Sequence, residues 1–153
     1  MRAITDRLRA YADRGVFRRF GVRALGRGRL EARFLWHAPE PHRLVIDPAR
    51  RTLTFVDLLP GVGYPSAMDR ALRAFLAGRF APELPEHRRL DPRRLAVRAI
   101  NRGGAVSIEL RAKRGDLAYA TEKLVKLVNE IFFSFLAGPY EEYMVRHFGA
   151  PEE

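Results

Sequence analysis

Two stretches of this chain repeat with a period of two. Leu30, Ala32, Phe34 and Trp36 alternate with Glu31, Arg33, Leu35 and His37, and Val106, Ile108 and Leu110 alternate with Ser107, Glu109 and Arg111. A strand turns successive side chains to opposite faces, so this pattern demands a sheet with one dry face and one wet face. Such a sheet must cover its dry face with other elements, and the flanking sequence supplies amphipathic helices for that purpose.

Three further β-prone runs join those two. Residues 43–47 and 52–59 flank Asp47-Pro48-Ala49-Arg50-Arg51, where Asp followed by Pro suits the first two positions of a type I turn. Residues 95–101 face 105–111 across Asn101-Arg102-Gly103-Gly104, a second hairpin. Helical spacing marks residues 2–14, where Ile4, Leu8 and Tyr11 share a face, and the segment after Ser66, where Met68, Leu72, Phe75 and Leu76 do. Ser66 is placed as an N-cap, with Asp69 three residues on as an acidic form of the capping box, and Gly78 as the stop.

A long helix is expected over 117–136, capped by Asp116 and apolar most of the way round, which implies burial on several sides. Gly138-Pro139 ends it, and a short helix over 140–148 follows. Gly21, Gly26 and Gly28 assign 21–29 to a loop or a broken helix end, and residues 80–94, with three prolines, to a long connection. The expected fold is α+β: a mainly antiparallel five-stranded sheet with helices on one side, in the order α-β-β-β-α-β-β-α plus a short C-terminal helix. Residues 1–150 form the expected single domain and 151–153 a frayed tail. The order of elements is similar to that of type III secretion chaperone-like modules. The resemblance is one of topology without a sequence motif; it implies protein binding, and it departs from those chaperones in charge, since they are usually acidic.

Charge is the other constraint. The chain of 153 residues carries a formal charge of +10, distributed as +8 over residues 1–51, +4 over 52–102 and −2 over 103–153. Net charge speaks to partners rather than to fold. Arg14, Arg18, Arg19, Arg23, Arg27 and Arg29 crowd one stretch around Phe17 and Phe20, and Arg88, Arg89, Arg93 and Arg94 crowd another. Arginine with interleaved aromatics can hold phosphates and stack on bases, so these ten are the candidate anion or nucleic-acid contacts.

Enzyme chemistry finds little footing in the sequence. Without cysteine there is no thiolate nucleophile and no thiolate metal site. Ser66, Ser107 and Ser134 lie in no Gly-x-Ser-x-Gly elbow. Gly61-Val62-Gly63 precedes a helix but lacks the remainder of a dinucleotide fingerprint or a P-loop, and reads as a plain turn. His37, Glu40 and His42 offer ligand chemistry at a spacing that two prolines make irregular, and read as an exposed loop. No metal and no cofactor is implied. The aromatic C-terminus, with Phe132, Phe133, Tyr140, Tyr143, Met144 and Phe148, suits an interface.

The leading expectation is therefore a small non-catalytic interaction module, engaging a protein partner or a second copy of itself through those aromatic helices. The alternatives are nucleic-acid binding through the N-terminal arginines, or a ligand pocket or active site between sheet and helices near Trp36 and His37. A membrane surface is disfavoured. The longest apolar run, 124–137, contains Lys126, Asn129 and Glu130 and is too short to span a bilayer, and no apolar leader opens the sequence, so the expected location is the cytoplasm.

Overall fold

Alternation builds the sheet as expected. In a computed structural model that describes residues 2–114 and 117–149, β3 (His42–Asp47), β4 (Thr52–Leu59) and β6 (Ala105–Ala112) bury Leu44, Ile46, Leu53, Phe55, Ile108 and Leu110 completely. With β1 (Arg18–Gly26), β2 (Arg29–Leu35) and β5 (Leu95–Arg102) they form one antiparallel sheet in the order β1-β2-β3-β4-β6-β5. The helical segments packed with it are α1 (Arg2–Asp13), α2 (Ala67–Gly78), α3 (Leu117–Glu130), a π-helical turn (Ile131–Leu136) and α4 (Glu141–Phe148). Ile4 and Leu8 of α1, Leu72 and Leu76 of α2, and Leu124 and Val128 of α3 join the inward strand residues in one core cluster. Each fully buried leucine or phenylalanine there contributes about 1.5–3 kcal/mol through removal of apolar area from water.

The sheet has six strands rather than five, because residues 18–26 form an edge strand and not a loop. Val22 pairs with Ala32, Arg23 with Glu31 and Ala24 with Leu30. Arg27 and Gly28 close this hairpin at φ 55° and 73°, the two left-handed positions of a type I′ turn. Gly21, which suggests a breaker in sequence, stands opposite Arg33 within the ladder. An edge strand meets the core on one side only and needs little apolar content, so its alternation is faint.

Two other expectations shift. The helix over 117–136 is α-helical only to Glu130 and continues as a π turn, in which Phe132 is buried and its neighbour Phe133 is 65% exposed. In the β3–β4 connection the Arg51 N–H donates to the carbonyl of Pro48, one residue later than expected, and Asp47 Oδ1 accepts from the Arg50 N–H instead. The Ser66 cap forms, with Oγ accepting from the Asp69 N–H at 3.0 Å. The Asp69 carboxylate is used elsewhere: it accepts from Arg73 Nε at 2.8 Å and Asn101 Nδ2 at 3.1 Å, tying α2 to β5. The expected Asp116 cap and the tail 151–153 lie outside the described residues.

Candidate functional site

The strand register fixes which residues share the face turned away from the helices. One row crosses the whole sheet: Arg23 on β1, Glu31 on β2, Val45 on β3, Thr54 on β4, Glu109 on β6 and Arg98 on β5 stand side by side. Every second residue along each strand belongs to the same face. Arg29 and Arg33 flank Glu31, Arg43 precedes Val45, Arg111 follows Glu109, and Arg102 ends β5. Against these seven arginines stand the carboxylates Glu31, Glu109 and Asp47, with exposed Asp57 in the β4 bulge beside Ser107. Neighbouring strands lie about 4.8 Å apart, so the row is roughly 24 Å long.

Glu31 organises the basic half of this face. It has no exposed surface, and the three arginine side chains that contact it are themselves about half exposed. Arg23 Nε donates to Oε1 at 3.0 Å, Arg43 Nε donates to Oε2 at 2.9 Å, and Arg33 Nε stands 3.9 Å from Oε1. Burial pushes the Glu31 carboxyl upward, but the hydrogen bonds and charges of Arg43 and Arg23 outweigh it and hold the group below its usual value. All three contacts use Nε. The Nη1 and Nη2 ends, which form the fork for a second anion, are left for solvent. At the other end of the row Arg98 holds Glu109 through Nε at 2.9 Å and Nη2 at 3.3 Å, beside an open hollow of about 530 Å³ bounded by Arg50, Arg98 and Arg111. Arg29 Nε is buried with no hydrogen-bond partner.

Of the ten arginines that the sequence offers as candidates, Arg23 and Arg29 stand on this face, and the register pairs Arg18 with Leu35 at its corner. Arg14 lies over the Tyr11 ring at 4.9 Å, Arg18 and Arg19 lie at the start of β1, and Arg27 is in the hairpin turn. The second group is spent on structure. Arg88 grips Glu130 through Nε at 2.9 Å and Nη2 at 2.8 Å, Arg89 Nη1 donates to the carbonyl of Pro82, Arg93 pairs with Asp91, and Arg94 lies over the Tyr119 ring. Arg33, Arg43, Arg98, Arg102 and Arg111 do not stand out in the sequence, because they are scattered along it; pairing of the alternating strands is the signal that unites them.

The histidine segment is not an exposed loop. His42 opens β3 at 5% exposure, and its Nε2 accepts from the His37 backbone N–H at 3.2 Å. The His37 ring stacks on Phe132 at 4.5 Å and shares a hydrogen bond with Asn129 Oδ1 at 2.8 Å. Burial lowers both imidazoles to about 4, so both are neutral at pH 7; the charge of His37 adds to the effect on His42. Glu40 is exposed, and among the described residues no group of three or more His, Asp or Glu side chains is placed to hold a metal ion. The space between sheet and helices beside Trp36 is filled by Phe17, Phe34, Phe55 and Phe132, all fully buried or nearly so.

The aromatic C-terminus divides in the same way. Phe132 and Met144 belong to the core, Tyr140, Tyr143 and Phe148 pack against it half-buried, and Phe133 alone of the six is largely exposed. No described helix is long and apolar enough to cross a membrane. Comparison with protein-family models, with curated proteins and with solved structures gives no match.

Proposed function

We propose that this chain is a binding module that holds nucleic acid by its phosphate backbone on the open face of the sheet. The observation that carries the reading is the Glu31 cluster: one buried carboxylate fixes Arg23 and Arg43 through Nε, with Arg33 beside them, and leaves their terminal amino groups to meet a second anion. Arg98, Arg102 and Arg111 extend the same face, so an extended polyanion meets positive charge along its length rather than at one point. The residues between these arginines include Val45, Thr54, Val56 and Ala96 and no aromatic ring. Base stacking therefore plays no part, and recognition is of phosphate spacing without sequence preference.

Fluorescence anisotropy with a labelled RNA strand and a labelled DNA duplex tests this directly. The expected result is about micromolar or tighter binding at low salt and a steep linear loss on a log–log plot as salt rises. No change in anisotropy with either nucleic acid at low salt overturns it. Self-association or docking of a protein through the C-terminal aromatics is the weaker reading, since it rests on the single exposed ring of Phe133.

A further inference from the structure

A second basic site lies away from the sheet. The connection between α2 and β5, including a short helical turn (Glu86–Arg88), folds back on α3 and leaves a cleft of about 230 Å³. Arg79, His87, Arg88, Lys123, Lys126, Asn129 and Glu130 line it over an apolar floor of Leu90 and Leu127. None of these residues is on a strand, and the site is independent of the nucleic-acid reading.

The hydrogen bonds inside the cleft show what is left over. Glu130 Oε2 accepts from Arg88 Nη2, from Arg79 Nη1 at 3.3 Å and from Ser134 Oγ at 3.0 Å, and its Oε1 accepts from Arg88 Nε and keeps one further acceptor site. Lys123, a residue only 9% exposed, gives two of its three ammonium N–H groups to the carbonyls of Glu86 and Arg89, both at 2.9 Å. Apart from that Glu130 oxygen and the His87 imidazole, the groups left over are donors. Arg79 gives Nη1 to Glu130 and makes no hydrogen bond through Nη2 among the described residues. Asn129, whose Oδ1 is taken by His37, keeps its NH₂ group. Lys123 keeps one N–H, and Lys126 stands exposed with its ammonium in no ion pair among the described residues.

Charge agrees with this surplus of donors. Four cations, Arg79, Arg88, Lys123 and Lys126, surround the single carboxylate of Glu130. Burial, and then the charge of Lys126, make the Lys123 ammonium easier to deprotonate than an ordinary lysine. An anion seated between these two lysines relieves that repulsion. A carboxylate offers one charge in one plane, whereas a phosphoryl group offers two charges and three oxygens in a tripod, which suits donors arriving from α2, from both lysines of α3 and from Asn129. The cleft is smaller than the roughly 300–1,000 Å³ typical of drug-sized ligands, and its floor is apolar.

We propose that this cleft binds a small phosphate monoester, with the phosphoryl group held by Arg79, Lys123, Lys126 and Asn129 and a short carbon body resting on Leu90 and Leu127. The test is an amide NMR titration of the full chain with glycerol 3-phosphate, with inorganic phosphate and with acetate, each at constant ionic strength set by chloride. Saturable shifts confined to the cleft around Leu90 and Asn129, stronger for the ester than for acetate, are the expected result. Inorganic phosphate binding as tightly as the ester removes the carbon body from the proposal and overturns the monoester assignment. Lys126→Glu changes an exposed side chain and leaves the fold intact, and weakens the ester by about tenfold or more. A double variant on the sheet face, Arg33→Gln with Arg111→Gln, binds the ester as the natural protein does, so failure here and failure of nucleic-acid binding are separate results. Absence of saturation, equal affinity for acetate, or an unchanged affinity in Lys126→Glu overturns the proposal.

Discussion

Arg43 reaches diagonally across the β2–β3 ladder to Glu31, donating Nε–H to Oε2 at 2.9 Å, although the residue directly opposite Glu31 is Val45. Arg23, which is directly opposite on the other side, takes Oε1. A carboxylate with no exposed surface is thus shared between two strands by guanidiniums that remain half in water. The pairing has a consequence for stability as well as for binding, because removal of one partner from a buried ion pair leaves the others uncompensated.

Glu31→Gln is expected to cost roughly 1–3 kcal/mol at pH 7, below the range for a fully buried pair because the arginines are solvated. The pH dependence follows from the depressed folded pKa of Glu31. Its stabilisation is present above the ordinary glutamate value of 4.5 and is lost as pH falls through the lower folded value. Urea unfolding of the two proteins at pH 7 and again near pH 3 checks both statements; the gap between them should narrow in acid.

The buried imidazoles act in a neighbouring window. His37 and His42 accept protons at about 6.5 when unfolded and at about 4 when folded, so the unfolded chain binds more protons between these values. Stability is therefore lost as pH falls from 6.5 to 4, by roughly 3 kcal/mol for one such group. A urea midpoint that declines steadily across this window, with the two imidazole resonances still neutral at pH 6 by NMR, is the expected outcome. A flat midpoint contradicts the packing of His37 against Phe132.

Adjacent phenylalanines on the π turn should respond oppositely. Phe132 is fully buried and packs against His37, His42 and Phe148, so Phe132→Ala is expected to cost about 3–5 kcal/mol. Phe133→Ala, at an exposed position, should stay within about 1 kcal/mol of the natural protein. Denaturant titration of the two variants reads the difference, and similar losses would place the turn in a different phase.

Gly61 sits under α4 at φ 64°, where an added Cβ would lie 2.8 Å from His147 Cε1. Gly61→Ala is expected to lose about 1–2 kcal/mol from the left-handed backbone alone, with the histidine contact adding to it. Pairing it with His147→Ala should recover only the contact part, which a double-mutant cycle on thermal or urea stability measures.

Strong periodicity makes much of the fold legible in the sequence itself: five strands, the Ser66 cap and the α2 stripe all follow from spacing. β1 does not, since an edge strand with Gly21 and Gly26 carries too little apolar content to alternate clearly. Nor does the π turn, because a segment apolar all round gives no phase for a change of pitch to disturb. The site is the least legible part. Arginine runs such as Arg88-Arg89 stand out in a sequence but meet internal partners, whereas Arg23, Arg33 and Arg43 converge only through pairing of three strands. The charge gradient has a structural counterpart: the most basic third of the chain supplies β1, β2 and β3, which lie together at one side of the sheet.

The most direct measurement is the salt dependence of nucleic-acid binding by the natural protein and by the double variant Arg33→Gln, Arg111→Gln. Neither side chain makes a hydrogen bond among the described residues, and the 3.9 Å contact of half-exposed Arg33 with Glu31 contributes at most about 1 kcal/mol, so both proteins should unfold at similar denaturant concentrations. The predicted result is a slope of log affinity against log salt that is shallower in the variant by about one per arginine removed. Equal slopes and equal affinities in two equally stable proteins would contradict the claim that the open sheet face holds the phosphates.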